Sequence, residues 1–115
     1  MSTLTVSTRP SALSFPRVSV EAKLRDELLT SVKSLASLRE ITLPSTTGEI
    51  YAIRFHIDSL EVVNILCAAD KIVGFELKNN IVKAGGYESI NEAVSHVMPR
   101  IESAWMKHQF KGATK

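Results

Sequence analysis

Apolar residues recur at helical spacing in three separate runs of this 115-residue chain. Val20, Leu24, Leu28, Val32 and Leu35 share one face while Glu21, Lys23, Arg25, Asp26 and Lys33 take the other, which predicts an amphipathic helix over about 19–38. Ser19 stands where an N-cap belongs, and acids fall in the first two turns, where the helix dipole favours them. The second run, Leu60, Val62, Val63, Ile65 and Leu66, predicts a helix over about 59–73 that stops at Gly74, the residue type best suited to a left-handed cap. The third run joins Ile90, Ala93, Val94, Val97, Met98, Ile101 and Trp105, and Ser89-Ile90-Asn91-Glu92 opens it as a capping box. Pro99 removes the backbone bond to the Ser95 carbonyl, so a kink or break is expected there, with Ile101 and Trp105 still on the stripe.

Between these runs the helical period fails. Pro44, Ser45, Thr46, Thr47 and Gly48 break residues 39–57 into a long connection, anchored by Ile41, Leu43, Ile50, Tyr51, Ile53 and Phe55. Tyr51, Ile53 and Phe55 alternate with Ala52 and Arg54 as in a short strand at 50–55, but no clear second strand pairs with it. Phe75 and Leu77 flank Glu76 in an extended exit; Lys78 to Ala84 then form a turn or short helix, stopped by Gly85-Gly86. Residues 1–18 hold seven Ser/Thr, Pro10, Pro16, Arg9, Arg17 and no acid, a disordered tail with a weak likeness to an organelle transit peptide. Residues 107–115 read as a frayed basic tail, which leaves one domain over 19–106.

Composition narrows the function classes. With 44% hydrophobic and 23% charged residues, the chain suits one compact domain with tails. The formal charge of +2 hides a split: residues 58–77 carry Asp58, Glu61, Asp70 and Glu76 against Lys71, whereas residues 78–115 carry six Lys/Arg against three Glu. The basic excess is partly a tail property and supports nucleic-acid binding only weakly. A single cysteine, Cys67, excludes an internal disulfide or a multi-cysteine metal site. The absence of a long apolar run or a secretory segment points to a soluble, cytoplasmic protein.

The chemistry centres on His56-Ile57-Asp58-Ser59-Leu60-Glu61. Asp58 and Glu61 have the spacing of a capping box, and Ser59 then falls in the first helical turn, beside N–H groups that attract a phosphate ester. His56 suits either a pH-sensitive gate over Ser59 or a loop histidine satisfied by backbone. Cys67 reads as a small half-buried apolar residue, and Trp105 as core or a hydrophobic clasp. His96 and His108 lack paired-ligand spacing, so no metal is expected. No nucleophile–base–acid set and no phosphate loop is visible, so the chain reads as a non-enzyme.

Asp58-Ser59-Leu60-Glu61-Val62-Val63, followed by Val73-Gly74-Phe75-Glu76-Leu77 and then Tyr87-Glu88-Ser89-Ile90, resembles the acyl carrier protein family over about residues 20–98. The resemblance implies an all-α fold: a small four-helix bundle with a long loop between its first and second helices. It further implies that Ser59 carries 4′-phosphopantetheine, transferred from coenzyme A by a phosphopantetheinyl transferase, with Asp58 and Leu60 beside it. Acyl-loading and acyl-transferring enzymes are the implied partners of a monomeric carrier with no turnover of its own. They would meet His56, Glu61, Val63, Asn64 and Cys67. Leu60, Val63, Asn64 and Cys67 share the helical face of Ser59, while Ile65, Leu66, Ala69 and Ile72 point inward. His56 stands where the family usually has Gly, Asn64 and Lys71 replace usual acids, and Gly85-Gly86 lengthens the last loop. These departures favour a specialised carrier over a central fatty-acid one. Two other readings stay open: an unmodified carrier-like module that binds a partner through helix 59–73, and a small basic nucleic-acid-binding bundle.

Overall fold

The computed structural model describes residues 14–114. They form four α-helices, α1 (Arg17–Leu38), α2 (Thr47–Ala52), α3 (Ser59–Val73) and α4 (Ile90–Thr114), with a 3-10 turn at Asn79–Ile81 and no strand among them. The fold is all-α. No described helix is long and apolar enough to cross a membrane.

α1 buries Val20, Leu24, Leu28, Val32 and Ala36, a line of fourth residues that faces α3 and α4. Its start departs from the sequence expectation in a way only tertiary contact explains. Ser19 is not the cap: the helix opens two residues earlier behind Pro16, with no side-chain cap and no acid in its first turn. Phe15 tilts against Trp105 with ring centroids 5.9 Å apart, and Arg17 pairs with Glu102, so α4 holds this end where a cap is missing. Phe15, Pro16 and Arg17 are therefore ordered, inside the segment expected as a tail. The rest of that expectation, residues 1–13 and the transit-peptide likeness included, lies outside the described residues.

The region that hinted at a strand divides, with a helix up to Ala52 and an extended chain from Ile53. Thr46 Oγ1 accepts the Glu49 N–H at 3.3 Å and donates to Glu49 Oε1 at 3.0 Å, so Thr46 caps α2 and is held there by Glu49. Ile50 is buried, α2 packs on α4, and Arg25 of α1 places its guanidinium 4.8 Å from the Tyr51 ring centre. Alternation over six residues was outweighed by a cap and by a helical neighbour to pack on.

α3 spans the expected residues, and Gly74 closes it at φ 90, donating to the Asp70 carbonyl at 2.8 Å. The Asp70 carboxylate then takes the Leu77 N–H at 2.9 Å, which steers the chain into the 3-10 turn. α4 starts at Ile90 as expected, although its box is shifted: Ser89 Oγ accepts the Glu92 N–H at 3.0 Å, while Glu92 reaches back to the Glu88 N–H at 2.7 Å.

Pro99 does not end α4, and the helix continues to Thr114 past the basic tail expected from 107. Ser95 and Pro99 both face solvent, so the carbonyl that loses its partner lies on the water side. Beyond the proline, Ile101 and Trp105 are buried, and His108 stacks on Phe75 at 4.2 Å. These contacts extend the helix where residue propensity alone predicts fraying.

Candidate functional site

Ser59 is the first residue of α3, half-buried, and the chain reaches it through a tightly held approach. Phe55 and Ile57 are buried, and Ile57 forms an isolated antiparallel bridge with Tyr87. Ile57 and Tyr87 exchange N–H···O bonds of 2.7 and 2.9 Å, and the Phe55 N–H adds one to the Glu88 carbonyl at 2.7 Å. Gly86 lies under this clip at φ +83. A Cβ there would overlap the Ile57 carbonyl oxygen and come within 3.1 Å of the Ser59 nitrogen, so only glycine allows the two segments to approach this closely.

The expected capping box at α3 is not formed. Asp58 occupies the N-cap position, with φ −62 and ψ 145, but its side chain caps no first-turn N–H. Glu61, which would close the box, accepts instead from Ser31 Oγ of α1 at 2.5 Å. Glu61 thus lies off the face expected to meet partners and ties α3 to α1. The start of α3 is left with uncapped donors, an exposed Asp58 and a serine hydroxyl that none of the bonds fixing this corner uses.

The remaining predicted residues divide clearly. Leu60 is 69% exposed, Asn64 and Cys67 are exposed and Val63 is half-buried, so all four share the outer face with Ser59. Ile65, Leu66 and Ala69 are buried and Ile72 is half-buried against the core, with Val62 a further core residue on the inner face. Cys67, expected to be half-buried, is exposed, its Sγ 4.0 Å from the Val63 carbonyl oxygen. His56 pairs with a side chain and not with backbone: its Nδ1 lies 3.1 Å from the Glu88 carboxylate, with Arg54 3.8 Å from the other oxygen. Glu88 is thereby a hub of the clip, a role that its position in the residue pattern does not reveal.

A second network holds the clip from behind. The Tyr87 ring is buried, and its hydroxyl accepts the Lys83 N–H at 2.8 Å and meets His96 Nδ1 at 2.7 Å. The hydroxyl can give a proton to a neutral His96 ring or accept one from it, so the direction of this bond follows the His96 tautomer. Burial lowers the His96 pKa below its ordinary 6.5, and the Arg100 and Lys83 charges push the same way against Glu92.

The sign for stability follows from the lowered value. Above 6.5 the ring is neutral in both states; below it the unfolded chain takes the proton first, so stability falls as pH falls toward the folded value. Glu92 is also lowered, chiefly by the Glu88 N–H and then by Lys83, but its contribution is lost only below its ordinary 4.5. Thermal unfolding is therefore expected at lower temperature near about pH 5.5 than near about pH 7.5, and His96→Gln should flatten that difference. An equal pH dependence in the variant would remove His96 from this role.

Among the described residues no group of three His, Cys, Asp or Glu side chains is placed to hold a metal. No protein-family model, curated protein or solved structure matches the chain.

Proposed function

We propose that the chain is a carrier protein that bears 4′-phosphopantetheine on Ser59 and offers an acyl or aminoacyl group to partner enzymes. The observation that carries this reading is a serine hydroxyl with no hydrogen bond among the described residues, at the start of a helix with no side-chain cap, flanked by an exposed outer face. The residues fit the group: the N-cap residue Asp58 makes no side-chain cap that would have to be displaced, and among the described residues no side-chain bond ties Ser59 into the packing.

In the transfer, Ser59 Oγ loses its proton to a base of the transferase and forms a phosphodiester bond, as the adenosine bisphosphate part of coenzyme A leaves. When attached, the arm supplies a terminal thiol that holds the cargo as a thioester. The first-turn N–H groups, beside Asp58, would hold the phosphate, and the clip of Ile57, Gly86 and Tyr87 would keep the attachment point in place. Leu60, Val63, Asn64 and Cys67 then form the surface read by loading and transferring enzymes. His56, paired with Glu88, and Asn64 are the residues we assign to partner choice in a specialised pathway.

The same outer face, with Leu60 69% exposed, also supports the second reading, a module that binds a partner and is never modified. Incubation with coenzyme A, magnesium and a permissive phosphopantetheinyl transferase separates the two by intact mass. The carrier gains a single arm, mapped by peptide sequencing to Ser59; a mass unchanged across several transferases rejects it.

A further inference from the structure

At the opposite end of α3 from Ser59, roughly 20 Å away at 1.5 Å per residue, the exit segment and the second half of α4 enclose an open groove of about 880 Å³. Its floor is apolar, made by Phe75, Ile81 and Ala104. Its rim is cationic, made by Lys78, Arg100 and Lys107, against Glu76 as the single lining carboxylate. The ion pairs among the described residues engage none of those three cations. Among the described residues Arg100 gives a single side-chain bond, to the His96 carbonyl at 3.1 Å. This contrasts with α1, where Lys23 and Arg25 each pair with a carboxylate one turn away.

The α4 side of the groove has a definite repeat. Arg100 and Lys107 are seven residues apart, hence on one face and roughly 10 Å apart along the axis. Ser103 and Ala104 lie between them, small enough to let another backbone come close. An acidic helix carries carboxylates at the same seven-residue interval, and apolar side chains between those carboxylates would reach the floor.

We propose that this groove is a docking site for an acidic amphipathic helix of a partner protein. Two carboxylates two turns apart face Arg100 and Lys107, and leucine-type side chains settle on Phe75, Ile81 and Ala104. Charge complementarity selects this occupant, since a wholly apolar segment would leave three cations beside a dry interface at a desolvation cost. The proposal uses the unmodified chain and does not depend on Ser59.

The probe is a fluorescein-labelled helical peptide with two Glu seven residues apart around a leucine pair, compared with its Gln counterpart by fluorescence anisotropy. The Glu peptide is expected to bind the full chain about five- to tenfold more tightly than the Gln peptide, with the gap closing in high salt. Arg100→Gln combined with Lys107→Gln should abolish the preference, and Glu76→Gln should strengthen binding of the Glu peptide about two- to threefold. Equal binding of the two peptides, or a preference that survives the double substitution, overturns the proposal. So does binding that depends on Arg100 and Lys107 for oligothymidine or for phosphatidylcholine–phosphatidylserine vesicles when the peptide itself does not bind.

Discussion

Ser59→Ala is expected to abolish modification and leave the fold intact. In the proposed reading the Ser59 hydroxyl is the atom that forms the phosphodiester, so the mass gain expected for the parent chain should vanish entirely. The same change should alter unfolding free energy by no more than about 0.5 kcal/mol, the usual range for a surface substitution away from special features. Three observations support that small cost: Asp58 and not Ser59 holds the N-cap position, the hydroxyl joins none of the bonds fixing the corner, and alanine is the best helix former. Intact mass and a denaturant melt on one preparation test both halves. An arm still gained by Ser59→Ala would move the attachment point elsewhere and end the reading of this site.

Gly86→Ala is expected to destabilise the fold by about 2–4 kcal/mol, from a left-handed backbone that alanine resists and from loss of bonds at the clip. Gly85 supplies the internal control. It also has positive φ, +93, but a Cβ there meets nothing within 4 Å, so Gly85→Ala should cost only the backbone part, about 1–2 kcal/mol. The difference between the two reports the close approach of Gly86 to Ile57 and Ser59. At temperatures where both variants remain folded, Gly86→Ala should also be the slower substrate for arm attachment, because the alanine methyl displaces the backbone that leads into Ser59. Equal stability and equal modification in the two variants would mean that the clip does not position the serine.

The elements best foreseen are those whose information is local. α3 ends where Gly74 permits a left-handed residue, and α4 begins where Ser89 and Glu92 satisfy free N–H groups within one turn. α2 carries an equally local signal, Thr46 with Glu49, yet the alternation of Tyr51, Ile53 and Phe55 competes with it over the same few residues. What settles that contest is Ile50 packed into the core, a contact across the chain.

The site divides in the same way. Helical spacing was sufficient to put Leu60, Val63, Asn64 and Cys67 on one face with Ser59 and to turn Ile65, Leu66 and Ala69 inward. Spacing could not say that Glu61 would leave its own cap for Ser31, thirty residues away, or that Glu88 would bind His56 across thirty-two. Gly85-Gly86 marked a break in sequence, but the need for glycine at 86 exists only because the Ile57 carbonyl comes to lie against it.

Residue order alone thus decides that α1, α3 and α4 are helices, where α3 and α4 start and which face of each is apolar, since propensity, caps and periodicity act within a turn or two. Tertiary contact decides where α1 begins, how far α4 runs past Pro99, which acids remain free and what holds Ser59 in place. Those outcomes depend on pairs such as Phe15 with Trp105, Arg17 with Glu102 and Ile57 with Tyr87, whose energies come into play only when distant segments have been brought together.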